Sequence, residues 1–420
     1  MTALSAPSIP LSAGDADFAR VATRVRDLAA TCPYGFWFLS DLHVPSNHGA
    51  SGELLARFVA ETGLRTVVCG GDIPEAFGDR ASLDSSIDRY RRLWVAPVER
   101  AGGRFLPIHG NHDFAIRASA ESGDGYTYPA AETRAIVLDT AAVRGGAECD
   151  PSSCAYFADD PAARVRLVAL DTHDAIDTSR PYWGVTDGFS DAQRRWFAER
   201  ALGTLPDGWR LVVASHAPLA GVAAVATERE LFAPVCALLA PLAREGRVLL
   251  AISGHHHAER QSCVGGVWHV TEPCDAAYLD YIHGSEPWVP GLPVKAAGTW
   301  AGQTFDAVQF DPARGLAHFT RVGGGADRTL RLAPLRLRAG ETLRLAPAVL
   351  SGPVAWSCHD GDSCDRRPNP ARRYDYFFDY HGDVADISPD GHLRAKRPGE
   401  AVAIATAPDG TREYVAIAVA

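Results

Sequence analysis

Residues 35–43 read GFWFLSDLH, and this stretch decides how the first part of the chain folds. Its apolar run is too short for a helix and predicts a buried β-strand, directly followed by an aspartate and a histidine. Four later segments also place polar residues behind an apolar run: GD at 71–72, GNHD at 110–113, SH at 215–216 and GHHH at 254–257. Because the carboxyl ends of parallel strands share one edge of a sheet, we expect these side chains to converge in one crevice.

The segments lie in a region, residues 34–322, where short apolar runs alternate with stretches of helical period. This alternation predicts a layered α/β domain. The predicted strands are 35–40, 66–70, 104–108, 164–170, 211–214 and 248–253. Three later runs, at 267–271, 305–310 and 316–322, have no helical stretch between them, so we expect antiparallel strands that complete a second sheet.

Three glycines at 323–325 end this region, and the residues beyond them form short alternating runs separated by Gly, Pro and Asp. Such a change of pattern is typical of a domain boundary. The sequence therefore predicts a layered α/β domain at 1–325 and a small all-β domain at 326–420.

The composition of this 420-residue chain limits the classes of molecule that we expect it to bind. Its formal net charge is -10, which argues against a broad basic face and disfavours nucleic acid as a substrate. The amino-terminal residues lack a basic region followed by an apolar run, and no stretch is long and apolar enough for a membrane span. We therefore expect no membrane span and a cytoplasmic location.

Nine cysteines leave two alternatives open. Cys149 and Cys154 are close in the sequence, as are Cys358 and Cys364, and each pair could close a small disulfide ring. Reduced thiols are the alternative, and they are the usual state in the cytosol.

The five polar segments resemble, in their order and in their places behind predicted strands, those of the calcineurin-like metallophosphoesterase superfamily over about residues 34–322. The resemblance implies an α/β/β/α sandwich of two sheets flanked by helices. It also implies two divalent metal ions, with Mn, Fe, Zn or a mixed pair all compatible with the ligand types. The implied ligands are Asp41, His43 and His257 for the first metal, Asn111, His216 and His255 for the second, and Asp72 as a bridge.

The same resemblance assigns roles in the reaction. A hydroxide that bridges the metals would attack the phosphorus directly. His112 would bind a phosphoryl oxygen, together with Asn111, and donate a proton to the leaving group, while Asp113 would orient His112. Asn47 and His48 follow the first segment closely enough to reach the phosphate.

The residues after the glycine run resemble bacterial immunoglobulin-like domains of group 2. The resemblance rests mainly on VADISPDGHL at 384–393 and KRPGEAVAIAT at 396–406. It implies a small β-sandwich that serves as a spacer or an adhesive module, without a catalytic role.

The segments differ from those of protein serine/threonine phosphatases, which continue Gly-Asp with Asp-Arg-Gly and use Gly-Asn-His-Glu. They are more similar to the branch that hydrolyses small molecules, which implies a phosphodiesterase for a small or nucleotide-like ester. A phosphomonoesterase and a nuclease of the same fold are the alternatives. From another class, a scaffold that binds without catalysis is a further alternative, although such a protein should lack ligands that this chain retains.

Overall fold

The structure is a computed structural model that describes residues 15–44, 49–74, 79–113, 128–174, 188–221, 226–257, 259–275, 300–361, 364–368 and 376–420. The α-helices are α1 Asp15–Ala29, α2 Ala50–Thr62, α3 Arg80–Tyr90, α4 Ala96–Arg100, α5 Ala130–Val137, α6 Ala141–Gly146, α7 Asp191–Trp196 and α8 Ala226–Arg244. Single π-helical turns follow α3 and α7. Among the described residues, we find no helix with the length and apolar character needed to span a membrane.

The strands up to residue 323 form two mixed sheets. These strands are β1 Tyr34–Leu39, β2 Thr66–Cys69, β3 Arg104–Pro107, β4 Ala147–Cys149, β5 Tyr156–Asp160, β6 Val165–Leu170, β7 Arg210–Ser215, β8 Val248–Ser253, β9 Arg260–Val264, β10 Val267–Thr271, β11 Thr304–Asp311 and β12 Leu316–Gly323. The first sheet contains β12-β11-β1-β2-β3, and the second has the order β4-β5-β6-β7-β8-β10-β9. In the first sheet β1, β2 and β3 are parallel, and in the second β6, β7, β8 and β10 are parallel.

Side chains alternate between the two faces of each strand and thereby build the layers. Phe36 and Phe38 of β1 enter a core shared by both sheets, where residues such as Val212 of β7 also pack. Trp37, on the opposite face of β1, packs against Phe58 of α2 in a second core. A third core covers the outer face of the second sheet with α7 and α8. The prediction of a layered α/β fold with flanking helices is therefore confirmed.

The three later runs do not complete one sheet together, so that prediction is wrong. Strand β10 lies in the second sheet, parallel to β8, with His269 opposite Ala251. Strands β11 and β12 instead extend the first sheet, and β11 pairs antiparallel with β1, with Val308 opposite Phe36. An apolar run indicates that a strand is buried, but it does not indicate which other strand pairs with it.

The residues after the glycine run continue the first sheet. Their strands are β13 Arg328–Leu337, β14 Thr342–Arg344, β15 Ala355–Asp360, β16 Cys364–Pro368, β17 Tyr376–Tyr380, β18 Ala385–Ile387, β19 His392–Ala395, β20 Gly399–Thr406 and β21 Arg412–Val419. Strand β13 pairs antiparallel with β12 and parallel with β21, so the nine-stranded sheet runs on through β21, β20 and β15. A separate small core lies here, around Leu393 and Ile417. The immunoglobulin-like assignment and the boundary at residue 325 stay predictions.

Ser190 caps α7, because its hydroxyl accepts a hydrogen bond from the backbone N–H of Gln193. Cys149, Cys154 and Cys358 are free thiols, so the first proposed disulfide is not formed. The side chain of Cys364 lies outside the described residues.

His269 makes the stability of the second sheet sensitive to acid. It is 6% exposed in β10, and its Nδ1 has no hydrogen-bond partner among the described residues. Burial disfavours the charged imidazolium and lowers the pKa of His269 to about 4. Between this pKa and the ordinary value, the unfolded chain binds a proton that the folded protein does not bind, so stability falls as the pH falls.

We expect His269→Leu to remove part of this acid sensitivity. Between about pH 7 and about pH 5, the loss of unfolding free energy should shrink by about 2 kcal/mol relative to the unchanged protein. Guanidinium denaturation at both pH values measures the difference. Equal losses in the two proteins would contradict the assignment to His269.

Candidate metal centre

The predicted ligands lie where the carboxyl ends of strands from both sheets meet. Asp41, Asp72 and Asn111 follow β1, β2 and β3 of the first sheet. His216 and the loop at 254–257 follow β7 and β8 of the second sheet. The site is therefore built across the two sheets, and its ligands are buried or nearly so.

One group of candidate metal ligands consists of Asp41, His43, Asp72 and His257. Their ligand atoms all lie within 4.8 Å of one another. The Nε2 atoms of His43 and His257 are 3.1 Å apart, and the Nε2 of His257 is 3.2 Å from Oδ1 of Asp41. Asp72 contributes Oδ2, which is 3.8 Å from Nε2 of His43.

A second group consists of Asp72, His216 and His255, with Asn111 beside them. The Nε2 of His216 is 3.2 Å from Oδ2 of Asp72 and 2.9 Å from Oδ1 of Asn111. The Nδ1 of His255 is 2.9 Å from the same oxygen of Asn111 and 3.2 Å from Nε2 of His216. Asp72 thus belongs to both groups, and the structure brings all seven predicted ligands together.

The backbone at these ligands is strained. Asp41, His43, Asp72, His255 and His257 have φ angles of 57°, 46°, 53°, 73° and 49°, in the left-handed region that residues with a Cβ rarely occupy. Each such residue costs about 1–3 kcal/mol and persists only where its surroundings enforce it. Two backbone hydrogen bonds help to hold these residues in place. The N–H of Asp41 donates to the carbonyl of Gly71, and the N–H of His43 donates to the carbonyl of Asp72.

The chemistry of the donor set fits a pair of divalent cations. Imidazole nitrogens and carboxylate oxygens suit first-row divalent metals, and imidazole binds them only in its neutral form. Burial, together with the neighbouring His112 and His257, lowers the pKa of His43 to about 3, so this ring is neutral. At His216 burial also opposes the charged form, but Asp72 and Asp41 raise its pKa to about 10. A bound cation must therefore replace a proton at His216.

His112 lies at the edge of both groups. Its backbone N–H donates a 2.8 Å hydrogen bond to Oδ1 of Asp72, and its Nε2 is 3.8 Å from Oδ2 of the same carboxylate. Its ring meets the ring of His43 edge-on, with centroids 4.8 Å apart. His112 is thus close enough to act on a group that is bound between the two sets of ligands.

The carboxylate of Asp113 accepts hydrogen bonds from two backbone N–H groups. Its Oδ1 accepts a 2.5 Å hydrogen bond from the N–H of Ile73, and its Oδ2 accepts a 2.6 Å bond from the N–H of Gly110. Asp113 therefore ties the loop after β3 to the loop after β2, and its orientation of His112 stays a prediction. Burial and the nearby Asp72 raise the pKa of Asp113 to about 7.

A layer of buried residues, to which the sequence assigns no role in the site, lies behind the second group. The Nδ1 of His109 is 2.8 Å from Oδ1 of Asp171, and the ring of His173 lies 5.5 Å from that of His216. The available signal was the position of Asp171 directly after β6, which is parallel to and paired with β7. The predicted substrate residues Asn47 and His48 lie outside the described residues.

Comparisons with known proteins give one partial match to a curated relative. Over 82 residues the chain is 33% identical to UDP-2,3-diacylglucosamine hydrolase of Ralstonia nicotianae. This stretch covers 19% of the present chain and 31% of the relative, so the chain spans about a third of the relative's length.

Comparison with solved structures gives matches that are distant in sequence. A dimetal phosphatase from Danio rerio is 18% identical, with a TM-score of 0.48 and coverage of 71% of this chain and 98% of that one. Phosphopantetheinyl hydrolase from Mycobacterium tuberculosis is 14% identical, with a TM-score of 0.31 and coverage of 57% and 89%.

The sequence also matches the family model described as calcineurin-like phosphoesterase over residues 34–259. The matched residues contain all seven candidate ligands and His112. Because the match covers more than half of the 420 residues, the chain belongs to the calcineurin-like phosphoesterase family.

Proposed function

We propose that this protein is a binuclear metal-dependent hydrolase of phosphate esters, and that it acts on diesters of small or nucleotide-like molecules. The observation that carries the proposal is the position of Asp72. Its Oδ2 is 3.8 Å from a histidine of one ligand group and 3.2 Å from a histidine of the other. A carboxylate shared by two buried ligand groups is the arrangement that a two-metal hydrolase requires.

In this proposal Asp41, His43 and His257 hold one cation, and Asn111, His216 and His255 hold the other, with Asp72 between them. When bound, such cations activate a water molecule as a nucleophile and neutralise charge on the phosphoryl oxygens. Iron, manganese, zinc and a mixed pair all suit these ligand types.

The protein's own contribution to the reaction is proton transfer and orientation. His112 would donate a proton from its ring to the departing oxygen, since it lies at the edge of both ligand groups and is fixed through its backbone by Asp72. Asp113 would act indirectly, because its two hydrogen bonds hold the loops that carry Asp72 and His112 in register.

Three observations favour a small-molecule ester over a phosphoprotein or a nucleic acid as the substrate. The segments around Asp72 and Asp113 differ from those of protein phosphatases, and the net charge of -10 disfavours the long basic groove of a nuclease. The name of the curated relative describes a hydrolase of a nucleotide-linked sugar. A scaffold without catalysis is disfavoured because all seven ligands and His112 are present.

The test uses metal-stripped protein that is refilled in turn with manganese, zinc or iron(II). Hydrolysis of bis(p-nitrophenyl) phosphate is compared with hydrolysis of p-nitrophenyl phosphate. We expect turnover that depends on the metal and is faster with the diester. A preference for the monoester would favour a phosphatase, and two bound metals without turnover of either compound would favour the scaffold.

Replacing the shared carboxylate should impair both metal sites together. We expect Asp72→Asn to lower metal stoichiometry and diester turnover in parallel, because the amide has no charge to hold two cations. Metal content after dialysis and the hydrolysis rate provide the measurements.

Asp311→Asn is the matched control for Asp72→Asn. Asp311 is equally buried, but it lies at the end of β11 that pairs with the start of β1, at the edge opposite the ligands. This variant should keep both metals and the rate. Full metal content in Asp72→Asn would contradict the shared role of Asp72.

Replacing the proposed proton donor should separate chemistry from metal binding. We expect His112→Asn to lower kcat by about 10²–10⁴-fold, the usual contribution of a general acid, while metal affinity is unchanged. The loss should be larger for an alkyl phosphodiester than for a p-nitrophenyl diester, because the better leaving group needs less protonation. Equal losses for both substrates would argue against proton donation by His112.

A further inference from the structure

A cluster of six buried ionisable side chains lies next to the loops that carry the candidate ligands, and the reaction proposed above does not use it. We call it the ionic cluster. Its carboxylates are Glu259, Glu272 and Asp306, and its guanidinium groups are those of Arg321, Arg328 and Arg412. All six residues are at most 8% exposed. The arginines and carboxylates are equal in number, and burial raises the pKa of Glu272 well above its ordinary value even though Arg328 is adjacent.

Glu259 is the member with the most arginine partners. Its carboxylate is 2.6 Å from Arg321, 2.9 Å from Arg328 and 3.4 Å from Arg412. Glu259 is thus anchored by three guanidinium groups.

Glu272 and Asp306 complete the cluster and connect the two sheets. Glu272, at the end of β10, is 2.9 Å from Arg328 and 3.4 Å from Arg321. Asp306 of β11 is 2.9 Å from Arg321 and also pairs with Arg328. Because β10 belongs to the second sheet and β11 to the first, these ion pairs join the sheets at the edge where the ligands lie.

Stability alone is a poor reason for such a cluster. Taking charged groups out of water is costly, and apolar side chains of similar volume often stabilise a fold equally well. What ionic groups add is direction, since each carboxylate has a fixed place between specific guanidinium groups. The useful question is therefore which part of the structure the cluster holds in place.

The part in question is the histidine loop, which we define as residues 254–257. Glu259 lies two residues after His257, on one side of the loop. On the other side the backbone N–H of Glu272 donates a 2.8 Å hydrogen bond to the carbonyl of Ser253, the residue before the loop. Two carboxylates of the ionic cluster thus bracket the histidine loop.

The histidine loop needs such support, because His255 and His257 both have left-handed backbone angles. It also packs tightly, since a side chain at Gly254 would collide with Ser40 and Asp41. Strained residues keep their conformation only when the surroundings leave no alternative.

We infer that the ionic cluster positions the histidine loop for metal binding, and that Arg328 and Arg412 make β13 and β21 part of the metal site's support. This inference rests on the proposed function. It gives the residues after 325 a role in the catalytic centre that a spacer domain would not have. Arg328, Glu259 and Glu272 are positioning residues, because none of them belongs to either ligand group.

The test measures the affinity of the full-length, metal-stripped protein for Mn²⁺ by titration calorimetry. The variants are Arg328→Met, which removes a partner of all three carboxylates, and Glu259→Gln, which keeps the shape of the side chain but removes its charge. We expect each variant to bind Mn²⁺ about 10–100-fold more weakly, as is usual when groups that orient metal ligands are lost. If Arg328→Met does not fold, the isosteric Glu259→Gln still decides the matter.

Arg331→Met is the matched control. Arg331 lies three residues further along β13 and forms a comparable ion pair, 2.6 Å from the buried Glu413 of β21. The carboxylate of Glu413 also accepts hydrogen bonds from the backbone N–H groups of Ala348 and Val349, and among the described residues neither member of the pair is bonded to the histidine loop. We expect Arg331→Met to lower the melting temperature but to leave the affinity for Mn²⁺ unchanged.

The outcomes separate the two proposals. Unchanged affinity for Mn²⁺ in both Arg328→Met and Glu259→Gln, with melting temperatures lowered as in Arg331→Met, would overturn the positioning role and leave the proposed function intact. Absence of Mn²⁺, zinc and iron(II) binding in the unchanged protein would overturn both proposals. Weaker binding in the two variants but not in the control supports the positioning role.

Discussion

The candidate metal centre depends on the packing of two sheets face to face, because neither sheet carries a complete ligand group. Asp41 and Asp72 come from the first sheet, whereas His216, His255 and His257 come from the second. The apolar core between the sheets fixes their separation, since protein interiors are packed too densely to allow much adjustment. The distances of about 3–4 Å between ligand atoms are therefore a consequence of core packing as well as of the ligands themselves.

Unfavourable features accumulate where the two sheets meet. Five ligand residues have left-handed backbone angles, and strain of this kind is typical of functional sites. The rest of the fold compensates for it with backbone hydrogen bonds between the loops after β1 and β2, and with the carboxylate of Asp113 between the loops after β2 and β3.

The residues after the glycine run are connected to this centre in two ways. Strand β13 continues the first sheet directly from β12, and Arg328 and Arg412 reach the carboxylates beside the histidine loop. A module that serves only as a spacer would have its own core and few charged contacts with its neighbour. This region does have its own core, around Leu393, yet its first strand, β13, and its last strand, β21, also belong to the first sheet.

The sequence by itself determined the local order of strands and polar segments. Asp41, Asp72 and His216 lie just behind the predicted strands, because a short apolar run and the residue that ends it are neighbours in the chain. Only the tertiary structure decided that β10 and β11 belong to different sheets and that Asp113 binds two loop amides. The physical reason is that the backbone edge of every strand offers the same hydrogen-bonding groups, and a buried carboxylate accepts from any donor that the fold brings near. Partners distant in the chain are therefore chosen by packing, which short-range patterns do not encode.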